Sequence, residues 1–63
     1  MKLGERIKSA INFNEFVDFG REFVVVGMTT NWVSIQRLDG KFGTATFLKE
    51  FIYNNFGEVW YEF

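Results

Sequence analysis

The stretch "NWVSIQRLDGKFGTATF", residues 31–47, decides the fold of this chain. Apolar and polar side chains alternate along residues 32–38, which is typical of a β-strand with one buried face. Val33 and Ile35 share one face of this strand, and the opposite face carries Trp32, Ser34 and Gln36. Asp39-Gly40 then predicts a hairpin, because a two-residue type I′ turn favours residues that adopt positive φ.

The predicted turn also sets the pairing of the two strands that it joins. It pairs Leu38 with Lys41, Ile35 with Thr44 and Trp32 with Phe47. The role of Trp32 stays open at this point. Its polar neighbours Ser34 and Gln36 favour an exposed face, whereas an aromatic partner at Phe47 would make the same face part of the core.

Three further elements follow from the pattern. Residues 22–28, "EFVVVGM", are apolar on both faces and rich in β-branched residues, which predicts a central strand. Residues 47–57 predict one or two helical turns, with Thr46 as N-cap and Gly57 just past the end. Residues 58–63 alternate and predict a terminal strand.

The first 20 residues allow two interpretations. Leu3, Ile7 and Ile11 recur at helical spacing, yet the same segment also fits a short strand near residues 5–10 followed by an irregular loop. Asn12 and Asn14 weaken a continuous helix because their side chains compete for backbone groups. We favour the strand and loop.

Length and composition restrict the fold further. The chain has 63 residues, no Cys and no His, so disulfides and the usual zinc ligands are absent from its sequence. Nine Phe, two Trp and two Tyr are available instead for a dense aromatic core. We therefore expect one mainly β domain over residues 1–63, a small barrel of four to five strands with one short helical or 3₁₀ turn near residues 47–55.

Residues 20–52 resemble the later part of an SH3-like barrel. Gly20, the strand 23–26, Trp32, the hairpin "RLDGKFG" and the turn near 47–52 follow one another in the family's order. The resemblance implies that Trp32 lies on a ligand-binding surface, where eukaryotic SH3 domains stack polyproline segments. The chain contains no Pro and lacks the family's first motif. The resemblance therefore points to bacterial or phage SH3-like modules, or to KOW-like modules, given "ERIK" and Gly20.

The sequence offers little for catalysis. Without His or Cys, the commonest general base and the best nucleophile are missing. No Gly-rich phosphate loop occurs, and the carboxylates show no paired spacing that suggests acid–base chemistry. We expect no enzyme activity, no cofactor and no metal site.

Binding to nucleic acid or association with the ribosome, as the resemblance to KOW-like modules implies, is one alternative function. Small barrels combine exposed aromatic residues with nearby cations, and Trp32 and Phe42 could stack on bases. The candidate contacts to phosphates are Lys8, Arg37, Lys41 and Lys49. The net charge of −1 lacks the basic excess of typical nucleic-acid binders.

Protein–protein binding fits the composition best, because a chain this short cannot easily bury so many aromatic side chains. The candidate contact residues are Trp32, Tyr53, Phe56, Trp60 and Tyr61, and the candidate core residues are Phe23, Val25, Ile35, Phe47 and Phe51. We expect a non-enzymatic interaction module, for example a phage or bacterial accessory protein that docks on a larger host protein and inhibits it. Self-assembly into a homo-oligomer is the other alternative.

The expected location is cytoplasmic. The longest apolar run, residues 23–28, is far too short to span a bilayer, and no apolar segment of signal-peptide type follows Met1-Lys2. The absence of Cys also fits a reducing compartment. We expect no membrane partner.

Overall fold

The computed structural model describes residues 1–58. The elements are β1 (Arg6–Ser9), β2 (Glu22–Met28), β3 (Trp32–Arg37), β4 (Thr44–Leu48), α1 (Lys49–Asn55) and β5 (Phe56–Glu58). The strands form one antiparallel sheet in the order β4-β3-β2-β1-β5. This sheet curls into a half-barrel, which confirms the predicted mainly β fold with one short helix.

β2 is the central strand, as its apolar pattern predicts. Phe23 and Val25 point into the core and are completely or almost completely buried. The pairing with β3 shifts between Val25 and Gly27, so that Val26 is an extra residue in a β-bulge. Beyond the bulge, Met28 lies opposite Val33 and packs against the core. The bulge bends β2 and contributes to the curl of the sheet.

The inner face of the half-barrel is covered by the loop between β1 and β2 and by α1. Phe16 and Val17 of this loop and Ile52 of α1 are buried against the sheet. The loop is held by its own side chains, since the Asn14 side chain accepts a hydrogen bond from the Val17 N–H over 2.8 Å. The prediction of a short N-terminal strand followed by a loop is therefore correct.

The hairpin of β3 and β4 forms, but its turn differs from the prediction. Residues 38–43 link the strands, and the Gly40 N–H donates to the Arg37 carbonyl over 3.0 Å. Positive φ occurs at Gly40, Phe42 and Gly43 and not at Asp39, so a type I′ turn at Asp39-Gly40 is excluded. Gly40 is instead the fourth residue of a turn that starts at Arg37.

This longer loop moves the pairing by one residue. Trp32 lies opposite Leu48, and Phe47 lies opposite Val33. The predicted pairing of Trp32 with Phe47 is therefore wrong. Because side chains alternate between the two faces of a strand, a shift of one residue transfers Phe47 from the face of Trp32 to the core face.

The helix boundaries also differ from the prediction. α1 begins after Leu48, which makes no side-chain capping bond. Thr46, the predicted N-cap, lies in β4, and Gly57, the predicted C-terminal glycine, lies in β5. β5 covers Phe56–Glu58 and shares only Glu58 with the predicted terminal strand, whose other residues, 59–63, lie outside the described part of the chain.

Candidate functional site

Trp32, the one tryptophan within residues 1–58, lies on the outer face of the sheet. Trp32 and Leu48 form a cross-strand pair there, and each retains close to half of its accessible surface, 46% and 47%. On the opposite face the neighbouring residues Val33 and Phe47 pack in the core. The observed pairing therefore settles the question that the sequence leaves open: Trp32 does not belong to the core.

The backbone around Trp32 is held on both sides. Its N–H donates to the Thr29 hydroxyl over 3.1 Å, and its carbonyl accepts from the Thr29 N–H over 2.9 Å. On the side of β4, the Lys49 N–H donates to the Asn31 carbonyl over 2.9 Å. The indole is thus presented by a fixed backbone, which lowers the entropy that binding would cost.

A shallow groove of about 380 Å³ lies beside the indole. Its lining residues are Thr30, Asn31, Trp32, Leu48, Lys49 and Glu50. Lys49 and Glu50 place one charge of each sign at the end of the groove. We call this set of six residues the Trp32 surface.

The sheet next to the Trp32 surface carries small polar side chains. The Ser34 and Thr46 hydroxyls are hydrogen-bonded to each other across the strands over 2.8 Å. On the other side of Ser34 lies Gly27, where a Cβ atom added to the glycine would come within 3.4 Å of the Ser34 Cβ. The side chains next to the indole on these strands are consequently small and uncharged.

The other predicted contact residues do not join the Trp32 surface. Tyr53 is exposed, but it lines a separate small cleft beside Ile7 and Phe56. Phe56 is half-buried, with its ring 5.5 Å from that of Phe23, and it lines the same cleft as Tyr53, so its role as a contact residue stays a prediction. Trp60 and Tyr61 lie outside the described residues.

Arg37 is a structural residue rather than a nucleic-acid contact. Only 5% of it is exposed, because it occupies the core face of β3 after Val33 and Ile35. Its guanidinium donates to the Glu15 carbonyl over 3.0 Å and to Asp39 over 2.6 Å, and the Phe42 ring covers it at 5.2 Å. The alternation of β3 could have predicted this burial from the sequence.

The three predicted lysine contacts lie far apart. Lys49 belongs to the Trp32 surface, whereas Lys41 lies beyond the other end of β4, a separation of roughly 15 Å or more for a five-residue strand. Lys8 is on β1, three strands away from β4 and opposite Glu22. These positions form no continuous basic patch.

An ion-pair network connects the loop of residues 10–21 to the loop of residues 38–43. Arg21 makes two hydrogen bonds of 2.9 Å to Asp18 and lies 3.5 Å from Asp39. The Arg21 bonds lower the pKa of Asp18. The hydrogen bond from the Lys41 N–H has the largest effect in lowering the pKa of Asp39, and the hydrogen bond from the Arg37 side chain has the next largest. All four charged side chains therefore have partners within the fold.

The exposure of two apolar side chains near this network was not predicted from the sequence. Phe19 and Leu38 line an open depression of about 530 Å³ together with Arg21, Glu22 and Asp39. Leu38 follows β3 directly, so this depression and the Trp32 surface lie at opposite ends of that strand. Hydropathy alone does not distinguish an exposed Phe or Leu from a buried one.

Comparison with known proteins supplies no relative: no family model, curated protein or solved structure matches the chain. Within residues 1–58, no group of three or more potential ligand side chains is placed to hold a metal ion. No helix in that same range is long and apolar enough to cross a membrane. The functional argument therefore rests on the geometry of the Trp32 surface.

Proposed function

We propose that this chain is a non-enzymatic protein-interaction module with an SH3-like half-barrel, and that it binds a larger protein through the Trp32 surface. The observation that carries the proposal is the exposed pair of Trp32 and Leu48. Tryptophan is enriched at protein interfaces, where a few buried aromatic side chains supply most of the binding energy.

The order of elements supports the SH3-like part of the proposal. Gly20 has a positive φ of 81° just before β2, Trp32 is the first residue of β3, and a short helix separates β4 from β5. These elements appear in the order on which the resemblance depends.

The surroundings of the indole support a protein partner. The adjoining ladder of Ser34 and Thr46 is uncharged, and the groove ends in the oppositely charged Lys49 and Glu50. An apolar centre with a polar rim is the usual composition of a protein interface. A polyanion would require several cations around the indole, and Lys49 is the one cation among the six residues of the Trp32 surface.

A pulldown from the native cell tests this function. Trp32→Ala and Leu48→Ala should each reduce recovery of the partner, since truncation of a central interface residue costs about 2 kcal/mol, or about thirtyfold in affinity. Leu38→Ala is the matched control, because Leu38 is the same residue type with a similar exposed fraction, 42%, at the other end of β3.

Circular dichroism should first show that all three variants are folded. Equal recovery of every captured protein by the wild type and by Trp32→Ala would exclude the Trp32 surface as the binding site. Equal losses for Leu48→Ala and Leu38→Ala would exclude it as well.

A further inference from the structure

The outer edge of β4 is open within the described part of the chain. β4 is the edge strand at one end of the sheet, and along its inner edge it pairs with β3. The Lys49 N–H bonds to Asn31 of the segment before β3, and the backbone groups of an antiparallel strand alternate in direction. The N–H groups of Thr44, Thr46 and Leu48 therefore point away from β3.

Within the described residues, β4 itself carries no charge, proline or bulge that would protect this edge. Edge strands of natural proteins are commonly blocked by charged side chains, Pro, a bulge or very short length. The sequence of β4, "TATFL", contains no charge and no Pro, and its five residues pair with β3 without a shift. At the opposite edge, the described part of β5 comprises Phe56–Glu58 and ends where the description of the chain ends. The sequence and regular pairing of β4 therefore suit strand addition.

We propose that two copies of this chain pair through their β4 edges, antiparallel about a two-fold axis at Thr46. In this alignment Thr46 exchanges two backbone hydrogen bonds with the partner's Thr46, and Thr44 lies opposite the partner's Leu48. The outward-pointing groups of both copies meet in this register, because Thr44 and Leu48 are equally distant from Thr46.

Charge and packing favour a second copy as the occupant of the edge. Lys41 precedes β4, and Lys49 and Glu50 follow it, so the antiparallel arrangement brings each Lys41 towards the partner's Glu50, next to Lys49, at both ends of the interface. On the core face, Ala45 comes opposite the partner's Phe47. Both of these side chains are only half-buried in a single chain.

Thr46→Pro and Thr46→Ala form a matched pair for the test. The Thr46 N–H does not bond to β3, so proline at this edge position removes the two central hydrogen bonds between copies and leaves the ladder to β3 intact. Both variants lose the hydroxyl bond to Ser34, but alanine keeps the N–H. A difference between the two therefore reports on the backbone group.

Light scattering after size-exclusion chromatography, over a micromolar to millimolar range, gives the mass. We expect two chains for the wild type and for Thr46→Ala at the upper end, and one chain for a folded Thr46→Pro. A wild type that is monomeric throughout, or a Thr46→Pro that dimerises like the wild type, would overturn the proposal.

Amide hydrogen exchange of the wild type provides a second measurement that does not depend on how the proline variant folds. Protection of the amides of Thr44, Thr46 and Leu48 should rise with protein concentration, while that of Ala45 and Phe47 should already be high. Exchange at the three edge amides that is independent of concentration, whether fast or slow, would contradict a two-fold pair.

Discussion

Arg37 is a charged residue on the core face of β3, the face on which Val33 and Ile35 are apolar. Its guanidinium connects Glu15, in the loop over the inner face, to Asp39, in the loop between β3 and β4. The Arg37 Nε has no hydrogen-bond partner within the described residues, and an unsatisfied buried donor costs about 1–3 kcal/mol. Arg37 therefore fixes the relative position of the two loops at some expense of stability.

Asp39 makes the stability of this region dependent on pH. Hydrogen bonds from the Lys41 N–H and from Arg37 lower its pKa in the folded state. An aspartate with a lowered folded-state pKa stabilises the fold above its unfolded value, near pH ~4, and this contribution is lost as the pH falls through the folded-state value. We expect Asp39→Asn to be less stable than the wild type at neutral pH.

The difference should shrink as the pH falls below about 4 and should be lost once the pH passes the lower folded-state pKa of Asp39. Thermal unfolding of both proteins from acidic to neutral pH measures this difference in stability. High salt should reduce the difference at neutral pH, because the Asp39 side chain is partly exposed and its ion pairs are screened. A difference that is constant across this pH range would show that the charge of Asp39 does not stabilise the fold.

Among the connecting elements of residues 1–58, the loop of residues 38–43 has the most strained backbone. Phe42 has a φ of 66°, a region that costs a residue with a side chain about 1–2 kcal/mol. Its ring covers the Arg37 guanidinium, which offsets part of that cost. The strain and the cation–π contact can be separated by two substitutions.

Phe42→Ala removes the ring and keeps the strained backbone, whereas Phe42→Gly removes both. We expect the glycine variant to be more stable than the alanine variant by about 1 kcal/mol, because glycine adopts positive φ without a steric penalty. Urea denaturation measures the two free energies of unfolding. An alanine variant as stable as the glycine variant would mean that the loop changes conformation when the ring is lost.

The same loop shows why the hairpin could be predicted and its register could not. The alternation in residues 32–38 indicates a strand directly. Asp-Gly, however, fits both a type I′ turn and the end of a type I turn. The choice between them depends on contacts made after folding, namely the bonds of Asp39 to Lys41 and Arg37.

On the scale of the whole molecule, the half-barrel depends on α1 to close its inner face. Ile52 is completely buried, and it is the buried residue of the helix. Ile52→Ala should destabilise the fold by about 2–5 kcal/mol through lost burial and the cavity that remains. The core of a chain this short rarely supplies more than about 3–5 kcal/mol, so a large fraction should be unfolded at 25 °C.

Tyr53→Ala is the control for Ile52→Ala, because the adjacent side chain is exposed and its removal should change stability by less than about 0.5 kcal/mol. Urea denaturation followed by tryptophan fluorescence and by circular dichroism measures both variants. Similar losses for the two would show that α1 does not close the core.

The predicted core and surface positions show how much of the packing can be predicted from the sequence. The pattern predicts Phe23, Val25 and Ile35 as core, and all three are buried, because they lie in strands with a clear alternation or a continuous apolar run. Composition suggests a surface position for Phe56, yet β5 returns beside β1 and brings its ring to Phe23. That contact arises from the path of the chain and leaves no local pattern in the sequence.

The β2 bulge has a consequence for aggregation. Two regular strands can slip by two residues and still bury the same faces, which leads to misaligned intermediates that associate. In this chain the extra residue Val26 must lie between the pairs Val25–Ile35 and Gly27–Ser34. A slip of two residues would place Trp32 or Gln36 opposite Gly27 and would separate Val25 from Ile35. Because the extra residue bends β2 at one point, we expect a slipped pairing to fit the curled core less well than the native pairing.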